Sequence, residues 1–101
     1  MYRQGDVFFE RIECSTRGLT PVVRESGRVV LAHGEVTGHS HAIQSKHANL
    51  WEDANRMRVL EVQKPVTLRH EEHASIQLPR GFYRVTIQRE YSPAEVRNVA
   101  D

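Results

Sequence analysis

The sequence predicts a mainly β protein, a small antiparallel β-barrel or sandwich with a short C-terminal helix. Three observations lead to this prediction. Short runs of β-branched and aromatic residues recur along the 101 residues, turn signals separate them at near-regular spacing, and the helix-start pattern comes last. A chain of this length suits a single domain, 1–101, since it can bury about 60 to 68% of its unfolded surface in one core.

The N-terminal half supplies four predicted strands. The run D-V-F-F-E-R-I-E over 6–13 follows a Gly-Asp turn and is rich in strand-forming residues. Residues 21–24 suit a short edge strand, and 28–33 form a β-branched run that ends at a glycine. Two glycines then bracket E-V-T, a length that suits a hairpin or a bulge, before the chain resumes as an extended segment over 39–44.

The C-terminal half continues the β pattern and ends in the predicted helix. Strands are predicted at 48–52, 57–63, 65–69, 74–78 and 82–90, the last being the longest. Alternation over the fourth of these predicts that Ala74, Ile76 and Leu78 point inward. Ser92-Pro93-Ala94-Glu95 matches the capping-box pattern with proline at the first helical position, so we expect a short helix that runs through Val99.

Composition narrows the class of partner and the compartment. With 14 basic and 13 acidic residues the formal net charge is +1, so no strong overall field favours nucleic acid or a membrane surface. Cys14 is a lone cysteine that cannot form an intramolecular disulfide, which fits a reducing compartment. No signal peptide and no apolar run near the roughly 18 residues of a membrane span is evident, so we expect a soluble cytoplasmic protein. Whether the chain forms a homo-oligomer stays open.

Histidines concentrate in two stretches of the sequence. L-A-H-G-E-V-T-G-H-S-H-A-I holds three of the six, and H-E-E-H, about thirty residues later, holds two more. If the first stretch continues as a strand, its period of two places His39 and His41 on the same face as Ile43, toward the interior or a cleft. His33 and His47 lack such a same-face partner, and we expect structural roles for them.

Two histidines at i and i+2 on a strand can converge on one metal ion. We therefore predict a transition-metal site formed by His39, His41 and His73, with His70 or Glu71 as a further ligand. We expect the bound ion to be divalent zinc, iron or manganese. A site with three protein ligands and water is open, which favours a hydrolytic role over a purely structural one.

Two alternatives need no metal. A histidine from each stretch could act as general base and general acid on RNA or a smaller phosphodiester, with Lys46, Arg69 or Arg80 as the stabilising cation. The residues expected to take part in catalysis are His41, His70, Glu71, His73 and Lys46. The third possibility is a non-enzymatic binding module whose histidines shape a polar surface.

Two family resemblances accompany these motifs. G-E-V-T-G-H-S-H with a later histidine and P-R-G-F-Y resembles the metal-binding motifs of cupins, which implies a β-barrel and metal ligation by His39 and His41. The match is partial, because Gln44-Ser45-Lys46 occupies the region of the cupin glutamate and His73 precedes the Pro-Arg-Gly turn instead of following it. The whole chain also resembles small bacterial and phage proteins of unknown function with similar Q-G-D-V, G-E-V-T-G-H-x-H and H-E-E-H segments.

Overall fold

Ten β-strands form the regular structure of the computed structural model, which describes residues 1–34 and 38–88. Turns and loops join them, and the described residues contain no helix. The strands are β1 Tyr2–Gln4, β2 Val7–Ile12, β3 Thr20–Pro21, β4 Val29–His33, β5 Ser40–Ile43, β6 Ala48–Glu52, β7 Arg58–Val62, β8 Val66–Arg69, β9 Ile76–Leu78 and β10 Gly81–Ile87.

The strands form two antiparallel sheets. The six-stranded sheet has the order β1-β2-β10-β7-β6-β3, and the four-stranded sheet has the order β4-β5-β8-β9. Among the described residues neither sheet closes on itself and the two are not joined into one cylinder, so the predicted barrel is wrong for this part of the chain. Within 1–34 and 38–88, the end strands of each order have one edge without a ladder partner, which is the physical difference from a closed barrel.

Both sheets contribute to one hydrophobic core. Phe9, Leu60 and Tyr83 of the six-stranded sheet belong to the same buried cluster as Ile43 and Leu68 of the four-stranded sheet. Alternating side chains supply this core on β2, where Val7 and Phe9 belong to it, and on β10, where Tyr83 and Val85 do, as the period of two predicts. The mainly β prediction is therefore confirmed.

Strand β1 is the element that the sequence did not predict. Its three residues are too few to show an alternation, yet they pair with β2 in the register Tyr2↔Phe9 and Gln4↔Val7. The turn between them includes Gly5 at φ +59°, a left-handed conformation that glycine adopts at low cost. This hairpin places Gln4 and the turn that follows it beside the second sheet, as the hydrogen bonds of Gln4 described below show.

Two local predictions need correction. The prediction that side chains of 74–78 alternate inward is confirmed for Leu78, which is buried. It is wrong for Ala74, which is exposed because it lies in the loop before β9. The predicted edge strand at 21–24 is the shorter β3, which pairs with Glu52 and Trp51.

The predicted helix beginning at Ser92 lies outside the described residues, as do the last two residues of the strand predicted over 82–90. In the part of the chain that is described, no helix has the length and apolar character needed to cross a membrane.

Candidate metal centre

Three histidines come together at one end of the four-stranded sheet. One ring nitrogen each from His41, His70 and His73 lies within 4.8 Å of the other two. His41 is on β5, whereas His70 and His73 belong to the loop that follows β8. The ring centroids are 4.3 Å apart for His41 and His70, and 4.6 Å apart for His70 and His73.

His41 is the buried member of this group. It is 2% exposed, while His73 is exposed and His70 is half-buried. Ile43, which shares a face of β5 with His41, is also buried, and so are the two residues of β5 on the opposite face. One ligand candidate therefore lies on a rigid strand in the interior, and the other two lie on a loop at the surface.

Gln4 holds the ring of His41. Its Nε2 donates hydrogen bonds to the carbonyl oxygens of Leu68, at 3.1 Å, and Ala74, at 2.9 Å. Carbonyl oxygens only accept, so this atom of Gln4 is the amide nitrogen and the opposite atom is the oxygen. That oxygen, Oε1, lies 2.8 Å from Nδ1 of His41.

This network determines the tautomer of neutral His41. Because Oε1 of Gln4 can only accept, Nδ1 of His41 must carry the proton and donate it. The lone pair of a neutral ring is then on Nε2, the atom that faces Oδ1 of Asp6 at 3.5 Å. Metal-bound histidines in proteins commonly donate their second N–H in this way, which orients the ring.

Gly5 and Gly34 have no side chains, and this leaves room for the histidine rings. A Cβ at Gly5 would lie 2.7 Å from Nε2 of His73 and 3.2 Å from Cε1 of His41. A Cβ at Gly34 would lie 3.2 Å from Nε2 of His70. At Gly5 the sequence therefore meets two requirements at once, a left-handed turn and room for two imidazoles.

His70 has its own backbone contact. The N–H of Glu72 donates to Nδ1 of His70 at 3.0 Å, so this nitrogen is unprotonated and a neutral ring carries its proton on Nε2. A metal bound at Nδ1 would displace the Glu72 N–H, and a metal bound at Nε2 would leave a proton on Nδ1 facing it. Ligation by His70 through either nitrogen therefore requires this hydrogen bond to break.

His39 has a different environment. It precedes β5, and its Nδ1 lies 3.0 Å from Oε2 of Glu72. Its ring packs edge-on against His70 with the centroids 5.8 Å apart. The predicted ligand set contained His39, His41 and His73, whereas the nitrogens that lie within mutual reach are those of His41, His70 and His73.

Glu71 contacts the backbone of β5 and is not one of the three clustered groups. Its Oε1 accepts a hydrogen bond from the N–H of Ser40 at 2.9 Å. This bond is the main reason that the pKa of Glu71 is below its ordinary value, with its own backbone N–H and the nearby charges of His39 and His70 acting in the same direction. Its carboxylate state is thus favoured beside the histidines.

The other predicted participants lie apart from the cluster. Lys46 is exposed in the turn between β5 and β6, beyond the opposite end of β5 from His41. His33 places its Nε2 3.0 Å from Oε1 of Glu25. In His47 the backbone N–H donates to Oγ of Ser45 at 3.0 Å.

Sequence reasoning missed the contribution of the β1–β2 hairpin. Gln4 is 2% exposed, and Gln4, Gly5 and Asp6 all contact the site, yet the Q-G-D-V segment predicts only a turn. The signal that points to them is weak: a glutamine, a glycine and an aspartate next to one another are common in ordinary turns.

Comparison with known proteins places the chain in a family. The model of the Domain of unknown function (DUF8820) matches residues 3–88, and the chain belongs to that family. This agrees with the resemblance to small proteins of unknown function. No curated protein and no solved structure matches the chain, so the resemblance to cupins gains no support.

Proposed function

We propose that this protein binds one divalent transition metal through His41, His70 and His73 and uses it in a hydrolytic reaction. The observation that carries the proposal is the approach of the three ring nitrogens to within 4.8 Å of one another. Imidazole nitrogen is a ligand that suits zinc and iron, and manganese is the third candidate for the bound metal.

Small movements would bring the ring nitrogens to coordination distance. Zn–N bonds of 2.0–2.1 Å in tetrahedral geometry place ligand nitrogens about 3.4 Å apart, somewhat closer than the 4.8 Å within which the three ring nitrogens lie. His73 is exposed and His70 half-buried on one loop, so this loop can move while His41 stays on its strand. Losing the hydrogen bond from Glu72 to His70 costs about 1 kcal/mol, against the roughly 10–16 kcal/mol that structural zinc sites provide.

An incomplete ligand set favours chemistry over a structural role. Three protein nitrogens leave at least one position for water, and a bound metal would supply a Lewis acid that lowers the pKa of this water. Oδ1 of Asp6, 3.5 Å from Nε2 of His41, lies where it could accept a proton from such a water. His73 at the surface keeps the site accessible to a substrate.

Ring separation weighs against the metal-independent alternative. A general base and a general acid act from opposite sides of a scissile phosphate and need space for it between them. Among pairs with one histidine from each stretch, the ring centroids are 4.3 Å apart for His41 and His70, 5.7 Å for His41 and His73, and 5.8 Å for His39 and His70, so no phosphate group fits between these rings. Groups that converge on one point suit metal ligation better.

Metal content is the direct test. Protein purified without a histidine tag is stripped with a chelator, titrated with Zn²⁺, Fe²⁺ or Mn²⁺, and analysed for bound metal per chain. We expect one equivalent in the wild type and in His33→Ala, whose histidine lies outside the cluster, and loss of binding in His73→Ala. A wild type that retains no metal and takes up none would contradict the proposal.

Hydrolysis is tested separately with an activated phosphodiester and with RNA. We expect turnover that depends on added metal and is lost in His73→Ala. Turnover that persists in excess chelator would favour the acid-base alternative, and metal binding without turnover would leave a binding role as the function of the site.

A further inference from the structure

A cavity of about 300 Å³ adjoins the histidine cluster on its outer side. His70 lines this cavity and also belongs to the cluster, so the two sites share one side chain. Ser40 and Ala42 of β5 line it as well. Because side chains alternate along a strand, these two residues project from the face of β5 opposite to His41.

Two arginines give this cavity its charge. Arg28 precedes β4, and Arg69 ends β8, where it pairs with Ala42. The two positive charges face one acidic residue among the lining side chains, Glu71. The formal charge of the lining is therefore +1 before any charge on His70 is counted.

The contacts of Ser40 connect these groups. Nη1 of Arg28 donates to Oγ of Ser40 at 3.4 Å, and the N–H of the same serine donates to the Glu71 carboxylate. The negatively charged carboxylate of Glu71 thus interacts partly with the backbone N–H of Ser40. Ser75, at the end of the loop that holds His70 and His73, adds a second hydroxyl to the lining.

We propose that this cavity binds the oxyanion group, phosphate or carboxylate, of the molecule on which the histidine site acts. This inference rests on the proposed function and adds the substrate class: a small anionic compound. Arginine guanidinium groups match both oxyanions with paired N–H donors, and serine hydroxyls supply further hydrogen bonds. His70, on the shared wall, brings an anion held there next to the metal ligands.

The test uses inorganic phosphate and acetate as probes on the full chain, with metal removed by chelator. We expect phosphate to bind the wild type and to bind Arg28→Gln/Arg69→Gln about tenfold or more weakly. Arg56→Gln, which removes an exposed arginine from the turn between β6 and β7, is the matched control and should bind like the wild type. Acetate binding of equal strength would identify a carboxylate as an equally suitable group.

Two further measurements separate this inference from the proposed function. Phosphate should shift the side-chain NMR signals of His70 and leave those of His33 unchanged, since only His70 lines the cavity. Metal uptake by the double arginine variant should equal that of the wild type, because neither arginine belongs to the histidine cluster.

The possible outcomes are distinct. Phosphate binding that is absent, or that is equally strong in the double variant, overturns the anion site even if metal binds normally. Arginine-dependent phosphate binding in a protein that takes up no metal supports the anion site and overturns the metal function alone.

Discussion

Oε1 of Gln4 lies 2.8 Å from Nδ1 of His41, and this contact joins the two sheets at the candidate site. The glutamine is on the edge strand of the six-stranded sheet, and the histidine is on an inner strand of the four-stranded sheet. Two carbonyl bonds made by the Gln4 amide nitrogen leave only the oxygen for the imidazole. A neutral His41 ring therefore carries its lone pair on a defined nitrogen, Nε2.

Replacing Gln4 by alanine tests this orientation. In Gln4→Ala, Nδ1 of His41 and the carbonyls of Leu68 and Ala74 lose their hydrogen bonds to the glutamine, and the bonds to His41 and Leu68 are buried. We expect metal affinity to fall about 10- to 100-fold, as for other groups that orient a ligand. The free energy of unfolding should drop by about 1–3 kcal/mol. Isothermal titration with Zn²⁺ and urea unfolding measure the two effects.

Gln77→Ala is the control for that experiment. Nε2 of Gln77 donates to Oγ1 of Thr67 on the exposed side of the four-stranded sheet, away from the histidines. Both its metal affinity and its stability should stay close to wild type. Equal metal affinities in the two variants would show that Gln4 does not orient His41.

Gly5 and Gly27 provide a matched pair of glycine substitutions. Both have positive φ, +59° and +77°, so alanine costs about 1 kcal/mol of backbone strain in either turn. Only at Gly5 would the new methyl group lie within 2.7 Å of His73, since nothing lies within 4 Å of the position at Gly27. We expect Gly5→Ala to lose metal affinity about tenfold or more, because it displaces a ligand ring.

The measurement compares Zn²⁺ affinity and thermal unfolding of Gly5→Ala and Gly27→Ala. Similar unfolding temperatures with different affinities would match the expectation. A parallel loss of affinity in both variants would attribute the effect to general destabilisation.

Substitutions of His39 and His70 test two ligand sets. One is the set expected from the sequence, and the other is the set whose ring nitrogens lie close together in the structure. His70→Ala removes a member of the cluster and should abolish stoichiometric metal binding. His39→Ala removes a half-buried ring that faces the exposed Glu72 and is not one of the clustered groups, and we expect it to change metal affinity by less than about threefold. Elemental analysis of both proteins after dialysis against metal decides between the sets. The reverse result would assign the ligation to His39.

Metal binding should release the amide of Glu72. Its N–H donates to Nδ1 of His70, and ligation through either nitrogen of His70 ends that bond. We expect hydrogen exchange of the Glu72 amide to accelerate when Zn²⁺ is added. The amide of Met57, which donates to Oδ1 of Asp53 at 2.8 Å in a distant turn, is the internal reference and should not change. Unchanged exchange at Glu72 would argue that His70 is not a ligand.

Tyr83 should control stability at alkaline pH. Burial raises its pKa above the ordinary value, although the charge of Arg11 opposes this, and its hydroxyl donates to the carbonyl of Pro79. The unfolded chain ionises first, so the contribution of Tyr83 is complete below about pH 10 and is lost as pH rises through the folded pKa. Tyr83→Phe should lose about 1 kcal/mol at neutral pH, and its stability should fall less steeply above pH 10. Urea unfolding between about pH 8 and pH 11 measures both effects, and equal slopes would contradict the assignment to Tyr83.

The sequence predicted the strands where local pattern was strong. V-F-F-E-R-I became β2 over Val7–Ile12, and the longest predicted strand became β10 over Gly81–Ile87, the longest in the described residues. Both segments carry several strand-forming residues in succession. β1 was missed because three residues contain too little periodicity, and its pairing depends on β2 rather than on its own composition.

For the candidate site, local sequence pattern was enough to predict that His41 lies on a strand and that H-E-E-H follows another strand. Periodicity specifies which face a side chain takes, because this depends on neighbours one or two residues away. Which rings meet was decided by tertiary structure alone. Gln4 reaches Ala74 across 70 residues of sequence, and Ser40 reaches Glu71 across 31. Such contacts follow from sheet order and from the path of the loop after β8, so only the folded chain selects His70 over His39 as the neighbour of His41 and His73.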